Sequence, residues 1–263
     1  MLKKRLVPKL LIKHRQLGSV ARPVLVTTRQ FRDVREVGDP VSQAKIYEAQ
    51  FADELIVLNI DGTPIANDIM MLDLIERLAS STFMPLAVGG GVRSVEDFSV
   101  LLGRGADKVT INQRALADPS MVEAAAARFG AQCVVVSIDY RTDEQGKHQV
   151  YVEHAATPTG VDPVSHARRM YECGAGEILL TNADRDGTGQ GIDLAVLLEV
   201  TNAVPIPVIA SGGCGLATHF SDAFLEGQAE GVAAGTFFCF RDQNPMQARA
   251  HIRTAGIDIR TEI

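Results

Sequence analysis

Residues Pro207–Phe237 read PVIASGGCGLATHFSDAFLEGQAEGVAAGTF. An apolar run stops at Ser211-Gly212-Gly213. A helical pattern with Phe220, Ala223 and Phe224 follows, closed by Gly227, and a second apolar run ends at Ala233-Ala234-Gly235-Thr236. Each apolar run has the length of a strand buried on both faces. Each gives way to residues with small or no side chains, so main-chain N–H groups can approach an anion, and a helix starting just beyond adds the field of its N-terminus. Ser211, Gly212, Gly213, Ala234 and Gly235 are therefore candidate phosphate ligands, in the arrangement (β/α)8 barrels build after strands seven and eight.

The pattern occurs twice. Pro85–Asn112 reads PLAVGGGVRSVEDFSVLLGRGADKVTIN, and with Gly90 placed on Gly212, Phe98 falls on Phe220, Ser99 on Ser221 and Gly105 on Gly227. The stretch 53–57 (DELIV) likewise aligns with 176–180 (GEILL) within one residue. A repeat at half the length of a 263-residue chain points to two half-barrels. Each carries one anion site, the first at Gly90, Gly91 and Asn112, and the pair suits a ligand with a phosphate at each end. The alternative for a single copy is plain turn chemistry.

The rest of the chain fits one α/β barrel domain over residues 1–263. Strands are expected at Arg5–Leu11, Leu55–Asn59, Lys108–Asn112, Cys133–Asp139 and Glu177–Thr181, besides those of the two quoted stretches. Helices are expected from Asp39-Pro40 through Phe51, over 67–80, and after Ser94, Asp118-Pro119, Asp162-Pro163 and Asn244-Pro245. The Arg-rich segment 12–38 is too long for a bare loop and reads as functional or as a β-hairpin. Arg141–Tyr151 reads as a polar hairpin turning at Gln145-Gly146. A net charge of −6 argues against general nucleic-acid binding. The basic N-terminal stretch lacks the continuous apolar core of a signal peptide, and no apolar run reaches membrane-spanning length, so a cytoplasmic location is expected. Four scattered cysteines fit reduced thiols, and the six histidines have no metal-ligand spacing, so neither metal nor cofactor is expected.

Active sites of such barrels lie at the C-terminal strand ends. Asp61, Asn112, Asp139, Asn182, Asp184 and Asp186 fall there. Asp139 ends the apolar run CVVVSI, where desolvation would raise its pKa toward general acid–base work; the alternative is a carboxylate capping a loop. In Asp184-Arg185-Asp186-Gly187-Thr188, one aspartate suits ligand hydroxyls, Gly187 a phosphate and Arg185 a local ion pair. At the opposite rim, Arg5, Glu54, Lys108 and Glu177 begin strands one, two, four and six, and by themselves read as a structural salt-bridge ring.

The ordered motifs VGGGVRS, GADKVTIN, VVVSID, GAGEILLTNADRDGT, PVIASGGCG and GVAAG resemble the cyclase subunit of imidazole glycerol phosphate synthase over nearly the whole chain. The resemblance implies a bis-phosphorylated substrate, with Asp186 and Gly187 joining the phosphate-binding set. It also implies a glutaminase subunit at the bottom of the barrel, forming a heterodimer, and an ammonia path gated by Arg5, Glu54, Lys108 and Glu177. Asp139 matches one of two catalytic aspartates. The other is replaced: the family pattern Cys-Leu-Asp-Val is here Lys9-Leu10-Leu11-Ile12, with Leu11 at the position symmetric to Asp139. A paralogous branch with the same loss acts in surface-polysaccharide biosynthesis, where with a glutaminase and a third, amidotransferase-like protein an acetamido group becomes acetamidino. Amidination of a phosphorylated or nucleotide sugar is therefore the expected activity, with true histidine-pathway cyclisation and a catalytically silent glutaminase scaffold as alternatives.

Overall fold

The computed structural model describes residues 3–18, 20–240 and 244–260. Eight parallel strands close on themselves: β1 (Arg5–Leu17), β4 (Leu55–Asn59), β5 (Leu86–Gly89), β6 (Lys108–Ile111), β7 (Val134–Thr142), β10 (Glu177–Asn182), β11 (Val208–Ser211) and β12 (Gly231–Ala234). Pairing of β7 with β10 and of β12 with β1 completes the ring. Closure leaves no exposed strand edge in the barrel.

The helices are α1 (Pro40–Ala49), α2 (Ile69–Ser81), α3 (Val95–Gly103), α4 (Gln113–Ala117), α5 (Ser120–Phe129), α6 (Pro163–Glu172), α7 (Leu194–Ala203), α8 (Thr218–Leu225), α9 (Thr236–Phe240) and α10 (Pro245–Thr254). Their starts follow the sequence chemistry. Asp39 and Asp162 accept from the main-chain N–H of Ser42 and Ser165, each with proline next in the chain. Ser94–Asp97 and Asn244–Gln247 form capping boxes. Asp118 departs from expectation: its carboxylate accepts from the Ser120 hydroxyl, and Pro119 stands at the cap of α5. The short α4 had no sequence signal.

The largest departure is in the first strand. β1 continues six residues past Leu11 and pairs antiparallel with β2 (Val20–Arg29), which pairs with β3 (Arg32–Gly38). Segment 12–38 is thus a three-stranded arm, apart from Ser19, which lies outside the described residues. Val24, Leu25 and Val26 of β2 are all buried, so both faces of the strand are covered there. The arm tip turns at Gln30 and Phe31, both with positive φ (55° and 62°). A second arm forms where β7 runs on past Asp139 to pair with β8 (His148–Val152), which pairs with the two-residue β9 (Thr157–Pro158). This is the hairpin expected at 141–151.

Inside the barrel the inward side chains lie in layers. Arg5, Glu54, Lys108 and Glu177 form the lowest. Above them Val7, Ile56, Ala87, Val135, Leu179, Ile209 and Ala233 form one apolar cluster. The next step up each strand is largely polar, with Lys9, Thr110, Ser137, Thr181 and Ser211, all buried. Between the barrel and its helices lies the main core, in which Tyr47, Tyr140, Phe98, Phe220 and Phe237 are the largest buried side chains.

Candidate functional site

The half-barrel repeat is visible in hydrogen bonds. Asn59 Nδ2 donates to Asp68 Oδ2 at 2.9 Å, and Asn182 Nδ2 to Asp193 Oδ2 at 3.0 Å. Asn59 Oδ1 accepts from Asp61 N and Asn182 Oδ1 from Asp184 N, each at 3.0 Å. Gly90 and Gly212 sit at φ 91° and 88°, where an added Cβ would fall 2.0 Å from Asn59 O and 2.4 Å from Asn182 O. Close backbone approach therefore requires glycine at both positions. The N–H groups of Gly90, Gly91, Gly212 and Gly213 donate to no backbone acceptor among the described residues, and Gly90 and Gly91 line an open cavity where an anion can reach them.

Chemically the halves differ. A cavity of about 560 Å³ opens at the C-terminal strand ends and is lined by Gly90, Gly91, Asn112 and Asp139 among others. Ser211, Gly212, Gly213, Ala234, Gly235, Asp186 and Gly187 do not line it. Ser211 through Gly215 are buried. The loop after β10 packs on them, so that a Cβ on Gly213 would meet Gly191 O at 2.1 Å. The first arm then caps that loop. Thr28 Oγ1 donates to Asp186 Oδ2 and Gln30 N to Asp186 O, both at 2.8 Å, and Gly187 lies against Thr28 O. The expected ion pair of Arg185 is absent among the described residues. Its guanidinium donates to the carbonyls of Ile192 (3.0 Å) and Gly191 (3.3 Å), and Arg141 is the residue that pairs with Asp184, at 2.6 Å.

Asp139 stands at the cavity floor, its Oδ2 accepting from Asn112 Nδ2 at 2.6 Å. Burial pushes its carboxyl up to about 6. The Lys9 ammonium and the Asn112 amide pull the other way, while Asp186 adds to the rise. An acid near 6 exchanges protons in either direction at neutral pH. Leu11, opposite in the repeat, lines the same cavity with an apolar surface.

At the other end, Arg5 and Lys108 alternate with Glu54 and Glu177 in a closed ring. Arg5 reaches Glu54 at 2.6 Å and also contacts Glu177; Lys108 reaches both at 2.9 Å. The two carboxylates thus each have two cations.

Sequence reasoning overlooked Lys9. In the sequence it figures only in the departure from the family pattern, yet it is 7% exposed and its Nζ donates to Ser211 Oγ at 2.8 Å. The signal was available: Arg5, Val7, Lys9 and Leu11 share one face of a strand by alternation.

Fold and site together define a (β/α)8 barrel with its cavity at the strand C-termini and an ionic ring closing the opposite end. The family described as "Histidine biosynthesis protein" matches residues 12–244. The chain is also 49% identical over 262 residues, covering 100% of both chains, to a Prochlorococcus marinus (strain MIT 9313) protein provisionally named imidazole glycerol phosphate synthase subunit hisF2. The chain belongs to this histidine-biosynthesis barrel family, as a relative of the synthase's cyclase subunit.

Proposed function

We propose that the protein is a synthase subunit that takes ammonia from a glutaminase partner and uses it on a phosphorylated or nucleotide sugar in surface-polysaccharide amidination. The observation that carries this reading is the intact ring of Arg5, Glu54, Lys108 and Glu177 beneath an apolar layer, with Leu11 in place of a second acid. Ammonia is neutral and crosses an apolar layer at far lower cost than ammonium. A ring of ion pairs at the entrance suits a gate that excludes water and ions. Above the layer, Asp139 is the one of the two paired acid positions that still carries a carboxyl, and the Gly90–Gly91 loop with Asn112 supplies phosphate contacts.

The ring face also suits docking. Phe51, Phe83, Tyr171 and Leu225 all lie where helices return to strand starts, and all are exposed, Phe83 at 95%. A heterodimer with a glutaminase would cover them, and large exposed aromatics are common interface anchors. A third, amidotransferase-like protein would complete the complex.

A second reading, histidine-pathway cyclisation with Asp139 as the one acid, draws on the open Gly90–Gly91–Asn112 half of the cavity and on the name of the relative. Mixing the purified protein with a glutaminase subunit of the synthase type from the same organism tests the partnership. A stable complex with stimulated glutamine hydrolysis is expected. No complex and unchanged hydrolysis would remove the main support for ammonia transfer.

A further inference from the structure

Lys9 leaves β1 into the barrel interior and lines the cavity together with Thr110, Ser137, Thr181 and Asp139. An ammonium has three N–H donors and no acceptor. One is used, on Ser211 Oγ at 2.8 Å. The neighbouring carboxylates bond to neutral donors instead, Asp186 Oδ2 to Thr28 Oγ1 and Asp139 Oδ2 to Asn112 Nδ2. Asp186 Oδ1 forms an ion pair with Nζ at 3.7 Å, which offsets charge but is beyond hydrogen-bond length and takes up no donor. Two of its three N–H donors thus have no acceptor at bonding distance among the described residues, and buried donors left so are costly unless further acceptors reach them. Those acceptors can come from the contents of the cavity. A second observation agrees: Thr110 Oγ1, on a residue 3% exposed, has no hydrogen-bond partner among the described residues.

We propose that the cavity floor is an anion subsite centred on Lys9, which receives a phosphate or carboxylate group of the substrate below the level of the glycine loops. The Gly90–Gly91 loop offers main-chain N–H groups at the rim, whereas the floor offers a fixed cation among hydroxyls. Leu11 and Leu58 wall the same cavity with apolar surface, which lowers the local dielectric and strengthens the attraction between Lys9 and an anion. An anion held there places the adjoining atoms of the substrate beside Asp139. The inference rests on the mouth cavity being the substrate site. It does not depend on whether the reaction is amidination or cyclisation.

Isothermal titration with inorganic phosphate and with acetate tests it on the wild type and on Lys9→Met, Lys9→Arg and Thr110→Val. Lys9→Met keeps the apolar stem and removes the charge. It is expected to weaken the tighter anion at least tenfold, with partial recovery in Lys9→Arg, and whichever anion shows the larger loss identifies the group. Binding within twofold of wild type in a folded Lys9→Met would make Lys9 a structural cross-link and overturn the proposal. Should Lys9→Met fail to fold, a phosphate-soaked crystal of the wild type decides. Density within hydrogen-bond distance of Lys9 Nζ is expected. Phosphate at Gly90–Gly91 alone would reject the floor subsite and leave the mouth as the substrate site, and no anion anywhere would reject both.

Discussion

Asp139→Asn isolates the energetic cost of holding an acid at the barrel mouth. Its carboxyl titrates near 6 in the folded protein against an ordinary value of 3.8. The folded state therefore binds a proton between about pH 4 and 6 where the unfolded chain does not, so stability falls as pH rises through that window, and the loss is complete above about 6. At 1.36 kcal/mol for each tenfold change in proton affinity, the cost is about 3 kcal/mol. Asparagine resembles the protonated acid in shape and charge, and can still accept from Asn112. The variant should match wild type near pH 4 and exceed it by up to about 3 kcal/mol at pH 8. For a chain of this length that is about 5 °C in Tm. Paired calorimetric scans from pH 4 to 8 read it directly, since other titrating groups cancel in the difference. A Tm difference that does not change with pH, or a variant less stable at pH 8, would refute the desolvated-acid argument.

Arg5→Met leaves Glu54 and Glu177 sharing Lys108 alone, so chemical denaturation should show a loss of about 3 kcal/mol; a loss below about 0.5 kcal/mol would mean that water already screens the ring. Gly90→Ala drives a Cβ into Asn59 O and should cost well over 2 kcal/mol, whereas Gly18→Ala meets nothing within 4 Å and pays only the positive-φ strain of about 1 kcal/mol. Equal Tm losses for the two would contradict the close-approach explanation. Phe83→Asp should leave the melting curve unchanged and weaken glutaminase binding at least tenfold, and tight binding by that variant would move the docking surface elsewhere.

Much of the fold was readable because barrel strands buried on both faces are short apolar runs, and because glycine is obligatory where one strand end crosses the next. The two glycine loops and their matching offsets carry both signals. Segment 12–38 was harder. Its strands pair only with one another and with the extension of β1, so the decisive contacts are tertiary, and alternation along Val24–Val26 is masked by a continuous apolar run. The ring was legible as four charges at strand starts, but its closure depends on barrel geometry. Lys9 escaped because a lysine after an apolar run reads as solvent-facing; only the inward alternation from Arg5 places it inside. The burial of the Ser211 loop was also invisible, since it results from the arm tip docking on Asp186 from more than 150 residues away.

The most direct measurement is turnover of the bis-phosphorylated cyclase substrate by the unmutated protein with saturating ammonium salt, beside Leu11→Asp. General acid–base catalysis contributes about a hundred- to ten-thousandfold. With Leu11 opposite Asp139, the wild type should therefore run at least about a hundredfold below barrels that carry both aspartates, and Leu11→Asp should recover a measurable part. A wild-type rate equal to theirs would contradict the loss of the second acid and put histidine-pathway cyclisation first.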